Sequence, residues 1–137
     1  MDERINDKVI EIERYLEEIE SVLPESLEEY SSDWKIRDIC ERHFEKIIEA
    51  VVDLGFLIIK ERDLEMPKDE ENVFSILKDN SLISSLLYEK LKQAKGMRNI
   101  ITHQYGRIDD ELVFEAVKEQ LVKDVNEFIK CVKGGFR

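Results

Sequence analysis

Ile36-Arg-Asp-Ile-Cys40-Glu-Arg-His-Phe44-Glu-Lys-Ile47-Ile-Glu-Ala-Val51-Val-Asp-Leu54-Gly-Phe-Leu-Ile58 carries apolar residues at Ile36, Cys40, Phe44, Ile47, Val51, Leu54 and Ile58. Steps of three and four put these on one stripe of an α-helix, whereas a half-buried strand would alternate. Ser31-Ser32-Asp33 offers N-caps just before it, and Met66-Pro67-Lys68-Asp69 breaks the pattern after it. Working outward, Ile5, Val9, Ile12, Leu16, Ile19 and Leu23 form an earlier helical stripe that Pro24 ends. Asp69, Glu70 and Glu71 can open a short helix through Val73, Phe74, Ile76 and Leu77, with a turn at Asn80-Ser81. From about Leu82 to Tyr105 a stripe runs through Ile83, Leu86, Leu87, Leu91, Ala94, Met97 and Ile101, with Gly106 as its stop. A last helix starts at Asp109-Asp110-Glu111, runs through Leu112, Ala116, Val117, Leu121, Val125, Phe128 and Val132, and frays at Gly134-Gly135. About five helices with short connections, no strand and no repeat predict an all-α, antiparallel up-and-down bundle forming a single domain over 1–137.

Composition narrows the function. With 42% apolar and 39% charged residues, and only 5 glycines and 2 prolines, a compact core is expected and low-complexity classes are excluded. The 32 acidic and 21 basic side chains give a charge of −11, unlike a protein that coats nucleic acid without preference. Any nucleic-acid chemistry must then be local. No apolar run approaches the roughly 18 to 20 residues of a membrane span, and Met1-Asp2-Glu3-Arg4 lacks the apolar region of a signal peptide, so a cytoplasmic location with no membrane partner is expected. Cys40 and Cys131 read as two free thiols. Scattered glycines form no phosphate-binding loop, and the best metal-ligand pair, Cys40 with His43, is two ligands short of a zinc site. No cofactor and no metal are expected. Glu11, Glu17, Glu18 and Glu20 lie mostly off the apolar stripe and read as a solvated face.

One segment differs from the rest. Between Lys90 and Arg107 stand Lys90, Lys92, Lys95, Arg98 and Arg107 with no acid, a positive island in an acidic chain. The same segment gathers Arg98, Asn99, His103 and Tyr105, residue types that hold a phosphate, orient a hydroxyl, move a proton near neutral pH and donate a phenolic hydrogen bond. Metal-free RNA cleavage needs such groups. At 100° per residue Tyr105 lies about 20° from Arg98 around a helix, but His103 lies about 140° away. Arg98 and His103 therefore meet one phosphate only if the helix unwinds before Gly106 or if a second copy brings its own motif opposite, as in a homodimer.

Arg98-Asn-Ile-Ile-Thr-His103-Gln-Tyr105 resembles the R-N-x-x-x-H-x-Y form of the signature of HepT-like toxins, all-helical ribonucleases of the HEPN superfamily. Upstream, the stretch from Glu41 through Glu49 and Asp53 to Gly55 is similar to that family's second helix, and Pro67, Phe74 and Leu77 fall where its short middle helix is expected. Downstream, Gly106-Arg-Ile-Asp109 and the helix after it also match, so the resemblance covers roughly residues 1 to 133. Thr102 departs from the small apolar residue common before the histidine.

The resemblance implies a homodimeric bundle with two motifs facing one cleft, and metal-independent endonucleolytic cleavage of RNA. His103 would activate the ribose 2′-OH and Arg98 would stabilise charge on the phosphate, yielding a 2′,3′-cyclic phosphate. Asn99 would position one of these groups or the backbone, and Tyr105 would line the cleft; Lys95 and Arg107 would add RNA contacts. The family's partner is MntA, a minimal nucleotidyltransferase antitoxin that attaches AMP to the motif tyrosine, which makes Tyr105 the expected modification site. Anionic phosphates beside Arg98 would occupy the RNA phosphate position and repel substrate. Two other readings compete: a noncatalytic helical subunit that binds nucleotide or substrate for a nucleotidyltransferase, and a helical adaptor that only dimerises.

Overall fold

The computed structural model describes residues 2–103 and 108–135. Seven α-helical segments follow one another: α1 (Glu3–Val22), α2 (Leu27–Ser32), α3 (Trp34–Glu61), α4 (Val73–Asp79), α5 (Ser85–His103), α6 (Asp110–Glu115) and α7 (Val122–Lys133). A 3-10 turn (Glu70–Asn72) leads into α4, and a π-helical turn (Ala116–Leu121) joins α6 to α7 as one rod. No strand occurs among the described residues. Side-chain pairs fix the packing directions. Glu18 meets His43 and Lys8 meets Asp53, Glu49 meets Arg98 and Glu45 meets Thr102, and Glu13 meets Lys133 while Lys118, ahead of α7, donates to the Glu25 carbonyl just past α1. Thus α3 runs antiparallel to α1 and to α5, and α7 antiparallel to α1, the up-and-down bundle expected from the apolar stripes.

Each long helix starts where its chemistry says it should. Asp2 caps α1 by accepting the Arg4 N–H at 2.7 Å, Asp33 caps α3 by accepting from Lys35 at 2.9 Å, and Asp109 caps α6 by accepting from Glu111 at 3.0 Å. The stripe Ile5, Val9, Ile12, Leu16 and Ile19 on α1 is buried throughout. Helix α3 buries more than one stripe, since Ile48, Ala50, Val52 and Ile59 join the expected residues, because α1 covers one side of it and α4 and α5 the other. Gly55 sets how closely α4 approaches, as a Cβ there would collide with Val73 Cγ1. Gly55→Ala is therefore expected to cost about 1–3 kcal/mol through overpacking, against a helix-propensity gain of about 1 kcal/mol. Gly96→Ala meets nothing within 4 Å and should show the gain alone. Urea denaturation of the two variants checks the contrast.

The structure adds one element and corrects two local expectations. After Pro24, Ser26 accepts the Glu29 N–H at 3.2 Å and donates to the Glu29 carboxylate, a side-chain cap that starts α2, whose Tyr30 is completely buried. Leu86 is 65% exposed, because α5 starts at Ser85 and turns Leu87 and Leu91 inward instead. Leu112 is 49% exposed while Val113 and Phe114 are buried. The π-helical turn that follows carries an extra residue per turn and resets the register for Leu121, Val125, Phe128 and Val132.

Asp124, on the π-to-α junction, is 6% exposed, and its carboxyl is pushed above the usual carboxylate range by burial, opposed by Lys90 at 3.8 Å. A raised folded-state value means that stability falls as pH rises through that range. Asp124→Asn is expected to stabilise the fold at neutral pH, and the gain should vanish below the carboxylate range. Urea melts at the two pH values measure it.

Candidate functional site

The second half of α5 presents two faces. On one, Lys95, Arg98 and Thr102 follow at steps of three and four and point toward α3 and the 3-10 turn. Arg98 keeps only 12% of its side chain exposed; Nη2 donates to Glu70 Oε2 at 2.8 Å, and Nη1 lies 4.0 Å from Glu49 Oε1. Lys95 is 5% exposed, with Nζ 2.5 Å from Glu71 Oε1 and 3.9 Å from Glu70 Oε2. The hydrogen bond from Lys95 and its charge hold the Glu71 carboxyl below the usual range. Thr102 Oγ1 donates to Glu45 Oε2 at 3.0 Å, so the hydroxyl that replaces an apolar side chain is satisfied by α3.

On the other face, Tyr88, Lys92, Gly96, Asn99 and His103 fall within an arc of about 80°. His103 is exposed at the last described residue of α5, and Asn99 is half-buried. The helix is intact from Arg98 to His103, so unwinding between them does not occur and the two side chains leave the rod about 140° apart. One protomer does not bring Arg98 and His103 onto the same point. Tyr105 and Arg107, and the stop expected at Gly106, lie outside the described residues.

Three cations of the island that holds no acid along the chain are charge-matched in space. Glu49 from α3 and Glu70 face Arg98, Glu70 and Glu71 from the 3-10 turn face Lys95, and Asp124 lies beside Lys90, while Glu45 accepts from Thr102. Lys95, expected as an RNA contact, is buried against Glu71 and is no free surface cation; Lys92, one turn away, is exposed. These acids were the functional neighbours that sequence reasoning missed. Their one signal is the i, i+4 spacing of Glu41, Glu45 and Glu49 off the apolar stripe of α3. Glu41, next along that row, is pushed up by burial and by Asp38 and Asp110.

The Cys40 and His43 pair comes apart. Cys40 is a buried free thiol raised to about 11 by burial, whereas His43 turns to α1, where Nε2 lies 3.1 Å from Glu18 Oε1 and the ring meets Tyr15 edge-on. No group of three or more His, Cys, Asp or Glu able to hold a metal occurs among the described residues. No helix among them is long and apolar enough to cross a membrane.

Comparison with known proteins bears on this arrangement. The family profile described as ribonuclease HepT-like matches residues 12–132. The chain is 27% identical to an mRNA nuclease HepT of Shewanella oneidensis, over 97% of this chain and 98% of that protein. It is 25% identical to a tRNA nuclease HepT of Aphanizomenon flos-aquae, over 86% and 84% of the two chains. Its fold is similar to that of a tri-AMPylated Shewanella oneidensis HEPN toxin solved in complex with an MNT antitoxin, with a TM-score of 0.90 and 26% identity over 98% of this chain and 99% of that one. By sequence over nearly its whole length and by the course of its helices, this chain belongs to the HepT-like ribonuclease family.

Proposed function

We propose that the chain is the RNA endonuclease toxin of a toxin–antitoxin pair, a single cytoplasmic domain over residues 1–137 that works as a homodimer. The observation that carries this reading is the set Arg98, Asn99 and His103 on the free end of α5, in a chain whose relatives are named nucleases. The divergence of Arg98 from His103 around the intact helix favours a cleft completed by a second copy. His103 takes the proton from a ribose 2′-OH, the 2′-oxygen attacks the adjacent phosphorus, and the bond to the 5′-oxygen breaks as that oxygen takes a proton from water. Arg98 stabilises the charge that builds on the phosphoryl oxygens. A 2′,3′-cyclic phosphate and a 5′-hydroxyl are the products. Asn99 orients the reacting groups, and Arg107 contacts the RNA backbone.

The antitoxin on this reading is an MntA-like minimal nucleotidyltransferase that AMPylates Tyr105. The solved relative pairs AMPylation with such an antitoxin. Phosphates attached at Tyr105 place like charge where the substrate phosphate must sit. The test is cleavage of total cellular RNA in EDTA by unmodified protein, with the ends resolved. Cyclic phosphate ends that persist in chelator support the reading. Absence of cleavage by a folded dimer whose Tyr105 is shown by mass to be unmodified would overturn it in favour of a nucleotide-binding subunit.

A further inference from the structure

A recess of about 190 Å³ opens on α5, lined by Tyr88, Lys92, Lys95, Gly96 and Asn99 with Phe74 and Glu71 across from them. We propose that this recess is a nucleobase subsite, in which a base stacks on Tyr88 while Lys78 and Lys92 take the phosphate attached to it. The inference rests on the ribonuclease reading for its location and goes beyond it in naming where a substrate nucleotide is held.

Four observations carry it. The volume is below the roughly 300 Å³ at which pockets begin to take drug-sized ligands, and so suits one flat ring system. Tyr88 is half-buried and its ring already attracts cations, with Lys78 Nζ 4.3 Å and Lys92 Nζ 6.0 Å from the centroid. An entering base takes the ring face, and these flexible ammonium groups swing to the phosphate attached to it. Gly96 leaves open space where any other residue would place a Cβ. The pairing of Lys95 with Glu71 cancels the nearest buried charge, which suits a neutral base better than an anion. Tyr88 lies about four turns from His103, about 22 Å along the axis, and Gly96 two turns, about 10 Å. The recess thus receives a nucleotide a few positions along the strand from the scissile bond and not the scissile phosphate itself.

Full-length Tyr88→Leu and Gly96→Leu proteins, checked for helicity and dimerisation, test this on short oligoribonucleotides. Both are expected to raise KM about tenfold, the size of a base–aromatic stack, with the loss falling on KM more than on kcat. Tyr88→Phe keeps the ring and should recover most of the loss. A photoreactive 4-thiouridine strand should cross-link to the peptide spanning Tyr88 to Asn99, which guards against variants that fail to fold. Unchanged KM in both leucine variants, or cross-links only elsewhere, overturns the subsite while leaving RNA cleavage intact. If no RNA is cut, binding of an oligoribonucleotide or of AMP that weakens about tenfold in Tyr88→Leu upholds the subsite without the nuclease. Preference for the strand over AMP assigns it to substrate, and the reverse assigns it to a mononucleotide.

Discussion

His103→Ala is expected to lower RNA cleavage by about two to four orders of magnitude, the range that a positioned acid–base group supplies. Its stability should stay within about 0.5 kcal/mol of the parent, since His103 is exposed at the end of α5 and a surface truncation of that kind removes no packing. The separation of the two effects gives the prediction its force. A residue that mattered only for folding would lose activity in proportion to stability. Steady-state cleavage beside urea denaturation measures both, and a folded His103→Ala dimer that retains cleavage within tenfold of the parent would remove His103 from the chemistry.

Arg98→Ala should cost about 10²- to 10³-fold in cleavage, the loss that follows removal of one donor aimed at developing charge. Arg98→Lys should recover little, because a lysine lacks the planar fork that now reaches toward both Glu49 and Glu70. Here the structural cost also needs weighing, as the side chain is only 12% exposed. Its carboxylate partners are about half exposed and rehydrate when the guanidinium goes, so the ion pairs themselves carry no more than about 1 kcal/mol. A fall in cleavage much larger than the fall in stability is the expected pattern. The same pairs imply that substrate must compete with Glu70 for Arg98, and cleavage should accordingly weaken steeply with salt.

The two predictions differ in how far each residue could be read in advance. Arg98, Asn99, His103 and the three- and four-residue steps around them are properties of consecutive residues, and they were legible. The intact helix between Arg98 and His103 then disposed of one of two ways to join them. The carboxylates on Arg98 and Lys95 were not legible, because Glu49, Glu70 and Glu71 are 20 or more positions away and nothing local announces that they face α5. Lys95 and Arg98, two cations of a basic segment along the chain, became charge-matched once α3 and the 3-10 turn were packed against them.

The same division holds for the fold. Apolar stripes on α1, α3, α5 and the final rod, with caps at Asp33 and Asp109, belong to the sequence alone, since a helix writes its buried face into every three to four residues and its start into one side chain. The side-chain cap at Ser26 was equally local and could have been read. Tertiary structure alone decided that Leu86 and Leu112 face solvent, that a π-helical turn resets the last rod, and that Gly55 is where α4 closes on α3. It also decided that Tyr88, Lys92, Gly96 and Asn99 border an open recess, and that Lys95, which lines the same recess, is buried against Glu71. Periodicity states which residues can share a face; which face meets a neighbour, which meets water and which acid meets which cation depend on the helices packed beside it.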